Sequence, residues 1–226
     1  MQGKFDTVIF DLDGTLVDTA PDLLRVLNSV LREHGRPDVD DTSLRAMVGD
    51  GARVLMQRGF AATGGWPDGL DEQAAFDTFM ARYLEAPAAE SAVFPGIVAV
   101  LERLHATRCG LGVCTNKPQA PSELILEALD LRRFFAATVG GDVLPVRKPD
   151  PAHVQAVIDA LDGTRARTVF VGDSINDVRA AKAAGIPCVL VSFGYSATPV
   201  GDLGGDMVID HFDDLIPALA ELSERA

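Results

Sequence analysis

The sequence predicts an α/β protein whose parallel β-sheet is covered by helices on both faces, with a helical insertion after the first strand. Short apolar runs alternate with helical patterns along most of the chain. The runs are continuously apolar, which is typical of strands buried on both faces of a parallel sheet. One connection is anomalous: the segment 17–90 holds about seventy residues, whereas a parallel crossover requires about a dozen.

The predicted strands and helices follow one another in alternating order. The first strand, 6–11, contains the apolar run Val8–Phe10 and ends at an acidic turn. The other predicted strands are 109–115, 136–140, 167–172, 187–192 and 206–210. The predicted helices are 96–107, 118–129, 150–161, 175–184 and 212–224. This alternation predicts one sheet with crossover helices on its faces.

The long connection has the periodicity of helices. Apolar residues recur at helical spacing in three stretches, 23–31, 54–56 and 76–84. We therefore predict a small all-helical domain of residues 17–90. It would be inserted into a core domain made of residues 1–16 and 91–226, with hinges at its two ends.

Composition narrows the range of functions. A net charge of -13 over 226 residues disfavours partners such as nucleic acids and anionic membranes, which require a basic face. The three cysteines, Cys109, Cys114 and Cys188, lack metal-ligand spacing, so we expect reduced thiols in a cytosolic protein. Neither a signal peptide nor an apolar stretch of about 18 residues is visible, which predicts a cytoplasmic protein without membrane association.

Two carboxylates follow the first strand. Asp11 and Asp13 are two residues apart, and side chains at this spacing point to the same side of a strand, while Gly14 permits a sharp turn. Two acids that share a small site repel each other and imply a cation, a shared proton or both. An acidic pair can also serve a turn alone, so the prediction depends on the segments that follow the other strands.

Three later segments place polar side chains at strand ends. Thr115 and Asn116 follow the second strand, Lys148 precedes a proline, and Asp173 ends the fourth strand with Asp177 one helical turn beyond. A hydroxyl and an ammonium suit an anionic phosphate. The predicted site would bring together four acids: Asp11, Asp13, Asp173 and Asp177. Such a concentration of negative charge favours a hard divalent cation, and Mg2+ suits carboxylates together with a phosphate.

In sequence and order these segments resemble the four motifs of the haloacid dehalogenase superfamily of hydrolases. The matching residues are Asp11-Leu12-Asp13-Gly14-Thr15, Thr115-Asn116, Lys148-Pro149 and Gly172-Asp173 with Asn176-Asp177. The resemblance implies a Rossmann-like core and a helical cap formed by the insertion. It also implies phosphatase chemistry rather than dehalogenation, because dehalogenases of this superfamily lack an acid at the position of Asp13.

The resemblance also implies roles for the individual residues. Asp11 would be the nucleophile that forms an aspartyl phosphate, and Asp13 would be the general acid and base. Thr115, Asn116 and Lys148 would bind the phosphoryl group. Mg2+ would be held by the carboxylates of Asp11 and Asp173 and by the backbone carbonyl of Asp13. Asn176 and Asp177 would support these ligands, with Asp177 orienting either Lys148 or a metal-bound water.

The substrate prediction rests on fewer residues. The segment Val48–Arg53 is similar to the glycine-rich cap segment of the phosphoglycolate phosphatase-like branch. Gly49 and Gly51 would let backbone N–H groups approach an anionic substrate, and Arg45 or Arg53 would pair with its carboxylate. An ordinary helix-entry turn with solvated arginines explains the same residues equally well.

We therefore predict a phosphatase that acts on a small phosphorylated metabolite, 2-phosphoglycolate being the first candidate. A sugar-phosphate or nucleotide phosphatase, or a mutase of the same fold, is the main alternative. A non-catalytic module that binds phosphate is the alternative from another class of protein. The residues do not indicate an oligomeric state.

Overall fold

The structure, a computed structural model that describes residues 4–225, is built around a six-stranded parallel sheet. The strands in chain order are β1 (Thr7–Phe10), β2 (Val17–Asp18), β3 (Ala92–Val93), β4 (Gly110–Cys114), β5 (Ala137–Val139), β6 (Thr168–Gly172), β7 (Cys188–Val191) and β8 (Met207–Ile209). The sheet order is β5-β4-β1-β6-β7-β8. All six predicted strands are confirmed, and β1 lies near the middle of the sheet.

Helices pack on both faces of this sheet, as predicted. The α-helices in chain order are α1 (Ala20–Glu33), α2 (Asp41–Arg45), α3 (Ala52–Ala62), α4 (Glu72–Glu85), α5 (Ile97–Ala106), α6 (Gln119–Ala128), α7 (Pro151–Ala160), α8 (Ile175–Ala184) and α9 (Leu215–Arg225). Val8 and Phe10 of β1 belong to the hydrophobic cluster that includes α5 and α9. Ile9, between them, belongs to a second cluster with α7 and α8. Alternating side chains thus fill the core on opposite faces.

The long connection contains four helices, α1 to α4. Its two ends pair as the short antiparallel ribbon β2–β3, with Val17 opposite Val93 and Asp18 opposite Ala92. The sequence analysis predicted neither this ribbon nor the five-residue helix α2, because such short elements have no measurable periodicity. Among residues 4–225, no helix is both long enough and apolar enough to cross a membrane.

Candidate active site

The carboxyl ends of β1, β4 and β6 meet at one edge of the sheet. These strands are parallel neighbours in register, with Phe10 of β1 opposite Val113 and Val171. The residues that follow them, including Asp11 and Asp173, therefore emerge side by side. This is the edge at which open α/β sheets bind their ligands.

Gly14 allows the turn after β1 to pass close to β6. Its φ angle is +80°, in the left-handed region that favours glycine. A Cβ atom at this position would lie 2.6 Å from Oδ2 of Asp173 and 2.9 Å from the ring of Tyr195. The glycine therefore serves both the backbone turn and the close approach of the two motifs.

Lys148 joins the first and last motifs through its ammonium group. Its Nζ lies 2.8 Å from Oδ1 of Asp11 and 2.8 Å from Oδ1 of Asp177. All three side chains are buried. Burial by itself would lower the pKa of Lys148, but the two carboxylates outweigh it and raise that pKa, so the lysine remains charged.

Three buried carboxylates surround this lysine. Asp11, Asp173 and Asp177 each offer an oxygen, and these atoms lie within 4.8 Å of one another. Burial raises the pKa of Asp11 to about 7, although Lys148 opposes the rise. Burial and the charges of Asp177 and Asp11 raise the pKa of Asp173 well above its usual range. One ammonium does not balance three carboxylates, so the oxygen-rich cluster fits a hard divalent cation.

Hydrogen bonds hold two acids of the cluster, Asp173 and Asp177. Asp173 accepts from the Thr15 hydroxyl at 3.1 Å and from the Tyr195 backbone N–H at 2.7 Å. Asp177 accepts through Oδ2 from the N–H and the hydroxyl of Ser174, and the bond from the N–H is part of the capping box of α8. Both carboxylates are therefore oriented by the protein itself.

Asp13 stands apart from the three clustered acids. Its Oδ1 accepts hydrogen bonds from the Thr19 hydroxyl at 2.6 Å and from Lys117 Nζ at 3.0 Å, and its Oδ2 lies 3.2 Å from the same Nζ. Asp13 still lines a cavity together with Asp11 and Asp173. Of the four predicted acids, three have oxygens within 4.8 Å of one another, and Lys117 binds the fourth.

A cavity opens beside Asp11 and Asp13, between the sheet edge and the helices α1, α3 and α4. Its lining includes Thr115, Gly49 and Gly51, as the sequence analysis predicted for substrate-binding residues. Asn116 also lines it and donates from Nδ2 to the carbonyls of Gly49 at 2.9 Å and Lys148 at 3.0 Å. Asn116 therefore links the glycine-rich loop to the segment that carries Lys148.

The two arginines predicted to bind substrate lie outside the lining of this cavity. Arg45 pairs with both oxygens of Asp18, at 3.0 and 3.1 Å, and with Asp41 at 2.7 Å. Arg53 stacks over the Phe76 ring and binds the side chains of Glu72 and Gln73. Both guanidinium groups are thus engaged by other side chains, and sequence spacing does not reveal which way a helical side chain points.

Asn176 contacts the glycine-rich loop. Its Nδ2 donates to Oδ1 of Asp50 at 2.8 Å and to the carbonyl of Gly49 at 3.3 Å. It therefore holds the glycine-rich loop against the start of α8. No described contact joins its side chain to the three clustered acids.

Comparison with known proteins identifies the family. The haloacid dehalogenase-like hydrolase family matches residues 5–185. The chain belongs to this family. A phosphoglycolate phosphatase from Caulobacter vibrioides is 47% identical over 216 residues, covering 96% of this chain and 91% of that protein. One from Rhodospirillum rubrum is 46% identical over 212 residues, covering 92% and 88%.

A solved structure of this hydrolase family shares the whole fold. The crystal structure of a predicted phosphoglycolate phosphatase from Haemophilus somnus 129pt has a TM-score of 0.90 and 32% identity, covering 96% of this chain and 99% of that chain. The motif resemblance and the α/β fold predicted from the sequence are both confirmed.

The sequence analysis of this hydrolase missed three residues that shape the site: Lys117, His153 and Tyr195. His153 is buried; its Nδ1 accepts from the Lys148 backbone N–H at 3.1 Å, so its Nε2 donates to the Gly140 carbonyl at 3.2 Å. Burial and the charge of Lys148 lower the pKa of His153 to about 4, which keeps the ring neutral. In the sequence, this role could have been suspected only from the position of His153, five residues after Lys148.

Tyr195 connects the acid cluster to Asp18 and Thr19, at the start of the insertion. Its backbone N–H binds Asp173, and its hydroxyl donates to Oδ1 of Asp18 at 2.6 Å while accepting from the Thr19 N–H at 2.7 Å. It lies in a loop after β7 that carries no sequence motif. Only the folded arrangement brings it to this position.

Proposed function

We propose that this hydrolase removes the phosphoryl group of 2-phosphoglycolate and releases glycolate and inorganic phosphate. The observation that carries the proposal is the buried Asp11 carboxylate, held by Lys148 and facing a cavity shared with Asp13. The names of the relatives support the choice of substrate.

Asp11 is the nucleophile in this proposal. The Leu12 N–H at 2.7 Å and the Lys148 ammonium at 2.8 Å both bind its Oδ1. Oδ2 is therefore the oxygen with a lone pair free to attack phosphorus. The new Oδ2–phosphorus bond forms as the bond from phosphorus to the ester oxygen breaks, which leaves an aspartyl phosphate.

Asp13 moves the protons. Its acid form donates a proton to the departing ester oxygen, and its carboxylate then takes a proton from water that attacks the phosphorus of the aspartyl phosphate. This second step regenerates Asp11 and releases phosphate. Thr19 orients the Asp13 carboxylate through the 2.6 Å hydrogen bond. Thr115 and Lys148 bind the equatorial oxygens of the phosphoryl group, where negative charge accumulates.

Mg2+ is the cation that best suits the site. Asp11, Asp173 and the backbone carbonyl of Asp13 would hold it, and it would neutralise charge on the phosphoryl oxygens. Asp177 supports this arrangement by binding Lys148. Asn176 supports it indirectly through the glycine-rich loop.

The insertion, residues 17–90, acts as a cap over the core of residues 1–16 and 91–226. The cavity lies beneath this cap, beside Asp11 and Asp13. The lining of this cavity combines two kinds of residue. Seven are apolar: Leu23, Val48, Ala52, Leu55, Met80, Pro118 and Pro121. A largely apolar wall with a few polar groups favours a compact ester over a sugar phosphate with many hydroxyls.

A substrate panel tests the proposal. The purified protein is assayed with MgCl2 or with EDTA against 2-phosphoglycolate, glucose 6-phosphate and a nucleoside monophosphate. We expect the highest kcat/KM for 2-phosphoglycolate, no turnover in EDTA, and a loss of at least ~10³-fold in Asp11→Asn. Asp202→Asn, an exposed acid, is the matched control.

Two results would contradict the proposal at different levels. Full activity in Asp11→Asn would remove the nucleophile and with it the mechanism. A higher kcat/KM for another ester would retain the phosphatase and replace only the substrate.

A further inference from the structure

Lys117 has no role in the mechanism above, yet it lies at the centre of the cavity. It follows Asn116 after β4 and is only 5% exposed. Among the described residues that line the cavity, it is the one with a basic side chain. A lysine is rarely buried this deeply unless its ammonium has an anionic partner.

That partner is Asp13. The Nζ atom lies 3.0 and 3.2 Å from the two Asp13 oxygens and 4.6 Å from the centre of the Tyr83 ring. The ammonium therefore stays charged and can bind a second anion that enters the cavity.

Tyr83 provides an independent sign of a missing ligand. It lies on α4 and is 1% exposed, and its hydroxyl has no hydrogen-bond partner among the described residues. A buried hydroxyl without a partner costs ~1–3 kcal/mol. Because Tyr83 also lines the cavity, an acceptor bound beside Lys117 would satisfy this hydroxyl.

The chemistry of 2-phosphoglycolate matches this arrangement. One methylene separates its ester oxygen from its carboxylate, so the carboxylate carbon lies about 2.5 Å from that oxygen. The proposed mechanism puts the ester oxygen beside Asp13. The carboxylate then lies within reach of Lys117, which is within 3.2 Å of Asp13.

We propose that Lys117 and Tyr83 form the subsite that binds the carboxylate of the substrate, a role the sequence analysis gave to Arg45 or Arg53. The inference rests on the proposed function, because it requires hydrolysis of a carboxylate-bearing phosphate ester. The core supplies the charge and the insertion supplies the hydroxyl. An ester without an anionic group would lack the ion pair with Lys117 and would be a poorer substrate.

The test compares 2-phosphoglycolate with 2-hydroxyethyl phosphate, in which a neutral hydroxymethyl group replaces the carboxylate. The measured quantity is the ratio of kcat/KM for the two esters in wild type, Lys117→Met and Tyr83→Phe. A charge-assisted hydrogen bond predicts that Lys117→Met lowers this ratio by roughly 10- to 150-fold. Tyr83→Phe lowers it by roughly 10-fold, and the exposed control Lys182→Met leaves it within twofold.

The ratio separates this inference from other roles of Lys117. If the lysine serves only to position Asp13, Lys117→Met slows both esters by the same factor, and the inference is overturned. Equal kcat/KM for both esters in wild type overturns it while the phosphatase stands. Failure of wild type to hydrolyse either ester overturns the proposed substrate together with this subsite. Tyr83→Phe, which keeps the ring, decides the question if Lys117→Met does not fold.

Discussion

Replacing Asp173 by asparagine is expected to make the metal-free protein less sensitive to alkaline pH. In EDTA the buried cluster of Asp11, Asp173 and Asp177 is balanced only by Lys148. The pKa values of Asp11 and Asp173 are raised in the folded protein. The protonated forms of these two acids therefore stabilise the fold fully below about pH 4, and this stabilisation is lost as pH rises through the folded-state pKa values. For Asp11 that value is about 7.

The size of the effect follows from the geometry. The rise of the Asp11 pKa from 3.8 to about 7 sets an upper bound of ~4 kcal/mol on its own contribution to the pH dependence. Each like-charged pair within the 4.8 Å cluster costs ~3 kcal/mol at an effective dielectric constant of ~20. Asp173→Asn should therefore reduce the loss of stability between pH 5 and pH 9 by ~2–3 kcal/mol.

Asparagine fits the space and the contacts of Asp173. Its oxygen can accept from the Tyr195 N–H, and its amide can donate to the Thr15 hydroxyl, which rotates to become the acceptor. The substitution therefore changes the charge while the local hydrogen bonds are kept. This is why the expected change in unfolding free energy can be assigned to electrostatics.

The assay is urea unfolding at pH 5, 7 and 9, in EDTA and again in saturating MgCl2. We expect the wild-type free energy of unfolding to fall with pH in EDTA and to be restored by Mg2+, whereas Asp173→Asn shows a shallower fall and little response to Mg2+. Asp202→Asn, at an exposed position, should behave as wild type. Equal pH slopes for Asp173→Asn and wild type in EDTA, or equal Mg2+ responses, would refute the reasoning.

Three further substitutions probe the same site. Lys148→Met leaves two buried carboxylates without their ammonium; urea unfolding in EDTA should show a loss of ~3–5 kcal/mol, and a loss below 1 kcal/mol would contradict the burial argument. Gly14→Ala puts a Cβ atom 2.6 Å from Asp173 Oδ2, at a residue whose φ angle is +80°. Because this displaces a predicted metal ligand, calorimetric titration should find Mg2+ affinity at least ~10-fold weaker. Unchanged Mg2+ affinity would count against this contact. His153→Gln removes an imidazole whose pKa in the folded protein is about 4. The variant should therefore retain part of the stability that wild type loses as pH falls from 6.5 to 4. Identical acid unfolding curves for the two proteins would exclude this contribution of His153.

Much of the fold and of the acid site could be predicted because the signals are local. Continuous apolar runs predict strands wherever they are buried on both faces, and all six are present. Parallel strands in one sheet end at one edge, so acids that follow β1 and β6 must lie close together. The contacts of Lys148 with Asp11 and Asp177 follow from that topology.

The amino-acid sequence by itself determined the strands, their parallel arrangement, the acids at their ends and the lysine that joins them. Only the tertiary structure decided that Lys117 pairs with Asp13, 104 residues away, and that Tyr83 closes over it from α4. It also decided that Arg45 pairs with Asp18 and Asp41, and Arg53 with Glu72 and Gln73, and that neither arginine lines the cavity. The physical reason is that strand pairing depends on backbone periodicity, whereas these contacts depend on how the insertion packs against the core. That packing is set by side-chain shape and charge, which sequence spacing does not encode.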